Sequence, residues 1–206
     1  IKHLKSGASY SLFIDGKKEG QVNLSVQGVH NVYNSLAAIS IGLCENASLD
    51  LCIKGLNQFT GTKRRLQLIG QRDNVTVYDD YAHHPKEIKA VLNTVSEFFP
   101  NKKNMVVFQP HLFSRTQNFM EGFVEVLDQF DEIVLMDIYP ARELPIEGVT
   151  SDNLLNLITN PNKKKVQKVD LLSAIEESKA DLLVMAGAGD IGLEVQKILM
   201  QLNPTT

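Results

Sequence analysis

The sequence predicts an α/β chain: a mostly parallel sheet with helices on both faces, preceded by a small α+β piece. Three observations predict it. From about residue 66, short apolar runs alternate with amphipathic helical patterns. Met105-Val106-Val107-Phe108, Ile133-Val134-Leu135-Met136 and Leu182-Leu183-Val184-Met185 are apolar at every position. Strands covered on both faces by crossover helices read this way. Before residue 60 a period of two gives way to a helical period instead.

Taken in order, Tyr10, Leu12 and Ile14 alternate, Asp15-Gly16 signals a hairpin turn, and Val22, Leu24 and Val26 alternate on the return. A helix follows from near His30, with Val32, Leu36, Ile39 and Leu43 on one face. Leu51-Cys52-Ile53 and Leu56 continue a second helix. Phe59-Thr60-Gly61-Thr62 interrupts that pattern, so two domains are expected, 1–60 and 61–206. Strands are predicted at 75–79, 105–109, 132–137 and 182–186. Helices are predicted at 85–98, 116–129, 151–159, 171–178 and 190–202. Asn160-Pro161-Asn162 and Lys163-Lys164-Lys165 read as a polar loop with a solvated charge run.

At 206 residues with 43% apolar content, the chain can bury a sizeable core. A formal net charge of -3 argues against a nucleic-acid-binding surface. No apolar run approaches the ~20 residues of a membrane span, and no signal peptide opens the chain. Cys44 and Cys52 sit in apolar helical patterns, as expected of reduced, buried thiols in a cytoplasmic protein. The chain opens on Ile1 rather than Met, as a fragment would.

The richest chemistry lies in Asp79-Asp80-Tyr81-Ala82-His83-His84-Pro85. It follows a β-branched strand and precedes a helix with proline in its first turn. In open sheets that edge is where ligands bind. A helix cap explains one Asp, but not Tyr81 together with both histidines. Three more segments sit at similar edges. Phe108-Gln109-Pro110-His111 ends one strand, and Ser114-Arg115-Thr116 opens a helix. Gly187-Ala188-Gly189-Asp190-Ile191-Gly192 formally matches a dinucleotide fingerprint, yet no second strand can follow before Thr206. Lys63-Arg64-Arg65 follows the boundary, where a guanidinium matches phosphate oxygens; the alternative is a solvated linker. Asn31 and Asn34 lie one turn apart near a helix start, where a cap at His30 or Asn31 is the competing reading.

These segments, with Gly28-Val29-His30-Asn31 and Phe59-Thr60-Gly61-Thr62, resemble the Mur ligase family in the same order over nearly the whole chain. The relative that recycles murein tripeptide typically has Phe where Tyr81 stands and lacks Phe-Gln-Pro-His. The resemblance implies that 1–60 is the end of a central ATPase domain and that 61–206 is the C-terminal Rossmann-like domain. It implies an ATP- and magnesium-dependent ligase of peptidoglycan synthesis, joining L-alanine to UDP-N-acetylmuramate through an acyl phosphate. It assigns Asn31 and Asn34 to adenine, Asp80 to the ATP ribose, and Tyr81 and His83 to the muramoyl substrate. Arg115 goes to the same substrate, and an arginine of the pair, here Arg64, to the ATP phosphates. Catalytic roles fall to His83 and Arg64. His84 is left as a brace. Leu112 stands where the family often has arginine. No phosphate loop ending Gly-Lys-Thr or Gly-Lys-Ser occurs in the sequence, so the chain by itself is expected to be inactive, with magnesium held elsewhere. The rival readings are a non-catalytic nucleotide-binding module and a metal-dependent hydrolase built on Asp80, His83 and His84.

Overall fold

The computed structural model describes residues 1–4, 7–72 and 75–202. The chain divides into two compact units, Ile1–Thr62 and Lys63–Thr206. In the first, β1 (Lys2–Leu4), β2 (Gly7–Ile14) and β3 (Lys17–Leu24) form an antiparallel sheet in that order. Asp15 and Gly16 both have positive φ, 49° and 80°, which matches the right-handed strand twist with a tight two-residue turn. Tyr10, Leu12, Val22 and Leu24 face inward and pack with Val32 and Ile39. Those two lie on α1 (Val29–Cys44), and α2 (Leu49–Gln58) adds Cys52, Ile53 and Leu56. The thiols are free; Cys52 is half-buried against this core, whereas Cys44 is exposed and not the buried thiol expected.

The second unit holds six strands. They are β4 (Gln67–Arg72), β5 (Val75–Asp80), β6 (Asn104–Phe108), β7 (Glu132–Leu135), β8 (Lys163–Lys165) and β9 (Leu182–Ala186). Their spatial order is β4-β5-β9-β6-β7-β8; only the β4–β5 pair is antiparallel. The helices are α3 (Pro85–Phe98), α4 (Phe113–Asn118), α5 (Met120–Leu127), α6 (Ser151–Leu157), α7 (Leu171–Glu176) and α8 (Ile191–Leu202), with a 3-10 turn at Lys168–Asp170.

Alternate residues of the apolar strands serve opposite faces. Val106, Phe108, Val184 and Ala186 pack under α3, α5 and α6 through Ile88, Phe123 and Leu154. Met105, Val107, Leu183 and Met185 pack under α7 and α8 through Leu171, Ile191 and Val195. The arrangement follows from crossover handedness. The steps β5→β6→β7→β8 all move one way across the sheet, and the helices between them share a face. The step β8→β9 moves back, so α7 lies on the other face. β9 therefore sits between two strands whose following helices leave on the face opposite to α8. That is a topological switch point; in open sheets of this kind the ligand crevice lies at such a point, here the carboxyl ends of β5, β9 and β6.

Several boundaries differ from the sequence reading. The Lys163–Lys165 run is the edge strand β8, not a solvated loop. Lys163 Nζ donates to the carbonyls of Leu155 (2.8 Å) and Ile158 (2.5 Å) at the end of α6, and Lys165 bridges Asp137 (2.9 Å) and Asp152 (2.6 Å). Lysines on an edge also discourage pairing with another chain. β4 was not foreseen. The expected 116–129 helix breaks at Phe119, whose φ of -121° leaves the helical region.

Phe108 is fully buried and its ring lies 5.3 Å from that of Phe123. Phe108→Ala should lower the unfolding free energy by about 3–5 kcal/mol, the range for a large cavity in a rigid core. Urea denaturation of the chain measures it.

Candidate functional site

The carboxyl end of β5 is built on two buried carboxylates. Asp79 and Asp80 are 3% and 5% exposed. Asp80 accepts from the backbone of Leu66 (Oδ2, 2.6 Å) and of Ala82 (Oδ1, 2.7 Å). It joins the start of β4 to the turn that carries Tyr81 and His83. Both of its oxygens are thus engaged by backbone, which the expected ribose contact did not anticipate. Burial pushes both carboxyl groups up; the Arg64 guanidinium pulls Asp79 back down, and the two backbone donors pull Asp80 down.

His84 is the N-cap of α3. Its Nδ1 accepts from the Lys86 backbone (3.2 Å), its ring meets Phe119 edge-on at 4.4 Å, and Glu87 completes a capping box. Proline follows at the first helical position, where its missing N–H costs nothing. His84 is thus a brace. His83 faces the other way. Its Nδ1 lies 2.8 Å from the Tyr81 carbonyl and 3.4 Å from Glu87 Oε2. Two acceptors at Nδ1 fix the proton there and leave Nε2 as the basic nitrogen. The Tyr81 ring, 37% exposed, stands 5.3 Å from the His83 ring.

β6 brings the next group. The His111 ring lies 5.9 Å from that of His83 and stacks on Tyr139 at 5.6 Å and 18°. Burial, with Arg115 and His83 nearby, pushes the His111 imidazole below its ordinary value. Arg115 Nη1 lies 3.3 Å from His111 Nδ1. Leu112, between them, has φ 73°, a region strained for a branched side chain. Its N–H donates to the Tyr139 carbonyl (2.9 Å), and the Tyr139 N–H donates to the Pro110 carbonyl (2.8 Å). Glu143 accepts from the Ser114 N–H (2.9 Å) and hydroxyl (2.5 Å). The segment after β7 therefore sets the course of the turn that carries Arg115.

β9 closes the crevice. Gln109 Nε2 donates to Asp190 (2.7 Å), and its Oε1 accepts from the Ile191 backbone (2.9 Å). A Cβ on Gly189 would lie 2.4 Å from Gln109 Oε1 and 2.7 Å from the Tyr139 ring; one on Gly187 would lie 2.9 Å from the Gln109 carbonyl. These glycines serve close packing rather than a dinucleotide cradle.

Arg64 is engaged by its own fold. Its Nε lies 3.4 Å from Asp79 Oδ2, and its Nη2 donates to the Gly187 carbonyl at 2.5 Å. Arg65 is exposed; its guanidinium carbon is 6.0 Å from the Tyr81 ring centroid. In the first unit, Gly28 and not His30 or Asn31 is the N-cap of α1. Asn34 is exposed and donates to Asn31 Oδ1 (3.3 Å), so the two amides share a face as expected. Among the described residues, no group of three His, Cys, Asp or Glu side chains is arranged for a metal. The hydrolase reading loses its ligands, since Asp80 and His84 are spent on backbone. Nor does any such group among the described residues mark a magnesium site.

The crevice thus gathers Tyr81, His83, His111, Arg115 and Tyr139 from three strand ends. Gln109, Tyr139 and Glu143 were not singled out from sequence for these roles. Residues 64–193 match the family model described as Mur ligase, glutamate ligase domain. The chain belongs to the Mur ligase family. Among Mur ligases, it is 49% identical over 182 residues to the UDP-N-acetylmuramate–L-alanine ligase of Flavobacterium johnsoniae, covering 88% of this chain and 40% of that one. It is 38% identical over 202 residues to the same-named protein of Aquifex aeolicus, covering 98% and 44%. The chain spans about two fifths of the length of the curated relatives it matches. A solved UDP-N-acetylmuramate–alanine ligase from Thermotoga maritima superposes with TM-score 0.78 at 26% identity, over 96% of this chain and 43% of that one. A murein peptide ligase from Psychrobacter arcticus gives 0.68 at 23%, covering 98% and 43%, which speaks for the shared fold alone.

Because burial raises both Asp79 and Asp80, each binds its proton more tightly folded than unfolded. Their contribution to stability is fully present below the unfolded value and is lost as pH rises through the folded ones. A carboxyl-carbon NMR titration should place both midpoints above the ordinary 3.8. Midpoints below it would contradict desolvation as the leading cause.

Proposed function

We propose that this chain is the C-terminal part of a cytoplasmic, ATP-dependent ligase that joins L-alanine to UDP-N-acetylmuramate in peptidoglycan synthesis. The observation that carries the reading is the set of side chains at the switch-point crevice, in a chain 49% identical to a ligase of that name. In the proposed reaction the muramoyl carboxylate attacks the γ-phosphate of ATP, forming an acyl phosphate and ADP. The alanine amine then attacks the acyl carbon, phosphate leaves, and the amine proton passes to a base.

The crevice supports particular roles. His83 Nδ1 is held by the Tyr81 carbonyl and Glu87, so its Nε2 is assigned to orient the incoming amine or take its proton. Beside it, burial and the neighbouring Arg115 disfavour the charged form of His111. Arg115, one helical turn from His111, offers a guanidinium fork to an anionic group of the muramoyl substrate. Tyr81 presents an exposed ring to that substrate. Arg65, exposed where Arg64 is engaged, is the better candidate for ATP phosphate. Asp80 serves the nucleotide through the turn it builds, and Asn31 and Asn34 are assigned to adenine. Closure of this part over the substrates would exclude water, which matters because water hydrolyses acyl phosphates.

The test is ligation by the full-length protein, followed as ADP release dependent on both UDP-N-acetylmuramate and L-alanine. Release with a muramoyl tripeptide substrate instead would favour the recycling relative, and nucleotide binding without turnover would favour a binding module. The 206-residue chain alone should release no ADP, because no phosphate loop occurs in its sequence.

Arg115→Ala in the full-length ligase should lower kcat/KM for UDP-N-acetylmuramate about ten- to a hundredfold, as expected when a charge-assisted hydrogen bond of roughly 1.5–3 kcal/mol is lost. Arg115→Lys should restore only part, since a point charge cannot reproduce the fork. Unchanged kinetics in a folded Arg115→Ala protein would remove Arg115 from the site.

A further inference from the structure

Arg64 has an unusual set of neighbours for a residue expected at phosphate. Its backbone is left-handed, φ 58°. Its N–H donates to Gln67 Oε1 (2.9 Å), and its carbonyl accepts from the Tyr81 N–H (2.7 Å). Its guanidinium reaches β5 through Asp79 and β9 through the Gly187 carbonyl. The same group lies 4.9 Å from the centroid of the Tyr81 ring. The start of α8 is also close: a Cβ on Gly192 would come within 2.8 Å of the guanidinium carbon. The group is therefore packed against both an aromatic ring and a glycine that leaves it room.

We propose that Arg64, paired with Asp79, is a positioning residue that holds the Tyr81 ring and the Gly187 turn in register across the crevice, and that it does not bind phosphate. This rests on the reading that Tyr81 meets the muramoyl substrate. A phosphate would have to draw the guanidinium off Asp79. That would leave a carboxylate 3% exposed without its counter-charge, a large penalty. The pair is also incompletely bonded: Arg64 Nε and Asp79 Oδ1 have no hydrogen-bond partner. Its hold is thus chiefly charge and shape, with the Gly187 carbonyl supplying direction. Lysine would keep the charge, but one ammonium cannot serve Asp79, Gly187 and the Tyr81 face with the geometry of a planar fork.

The experiment is steady-state kinetics of the full-length ligase with ATP and UDP-N-acetylmuramate varied separately. Arg64→Leu and Asp79→Asn should each lower kcat/KM for the muramoyl substrate about tenfold or more while KM for ATP stays within about twofold. Arg64→Lys should fall between. The double variant should lose little beyond the worse single one, because the two act as a unit. A tenfold rise in KM for ATP with muramoyl kinetics unchanged would make Arg64 a phosphate ligand and overturn the proposal; so would fully additive losses. A second measurement is independent of activity. In the 206-residue chain, NMR resonances of the Tyr81 ring should move in Asp79→Asn and in Arg64→Lys, the mildest changes. A Tyr81 ring unmoved in both would end the positioning role even if ligation is confirmed. Absent ligation with shifted Tyr81 resonances would sink only the functional reading.

Discussion

Two carboxylates buried at the end of one strand govern the working edge of this protein. Asp80 takes the Leu66 and Ala82 amides, and so joins the antiparallel β4 to the turn of the His-His motif. Asp79 takes the charge of Arg64, and through it β9 is drawn to β5. Neither carboxylate is exposed. Without them the exposed Tyr81 and the half-buried His83 would have no fixed platform. Burial of charge is costly, and the fold tolerates it because each group has partners that arrive from other elements.

A second layer of support comes from the segment after β7. Tyr139 exchanges backbone bonds with Pro110 and Leu112 and stacks its ring on His111. Glu143 fixes the start of α4 through Ser114. Leu112 is held at positive φ between these attachments. The strain of that residue lies beside the Arg115 turn, and the surrounding bonds over-determine it. The histidines divide their labour for the same reason. His84 is consumed by capping and by Phe119, whereas His83 and His111 keep their rings near the crevice.

Much of this was legible in the residues. Uninterrupted apolar runs alternating with helical patterns read as strands with two covered faces, and Asp15-Gly16 and Pro85 announce a turn and a helix start. What escaped depended on partners distant in sequence. Gln67–Arg72 alternates poorly and carries a bulge between Leu68 and Gly70; it is a strand because β5 pairs with it. Three consecutive lysines form β8 because β7 offers an edge and Asp137, Asp152 and the end of α6 accept their charge. The stacking of Tyr139 on His111 joins two strand ends 28 residues apart, and no local pattern encodes it. Its place just beyond an apolar strand was the available signal. Arg64 illustrates the converse. Its residue type suggested phosphate, and only the fold revealed that its guanidinium was already engaged.

In the larger unit β9 lies inside the sheet, between β5 and β6, yet among the described strands it comes last in sequence. Its neighbours β5 and β6 lie far earlier in the chain: Thr76 and Asn104 both pair with Leu182. During translation these two strands must wait with an open lane between them, their inner edges unpaired. Such edges invite pairing with other chains, and closing so long a loop is slow compared with local steps. The sheet, both apolar cores and the crevice are completed together when Leu182–Ala186 enters the gap. Folding of this unit is therefore expected to finish late and nearly all at once, and a chain cut short before β9 would lack a sheet centre rather than merely an end.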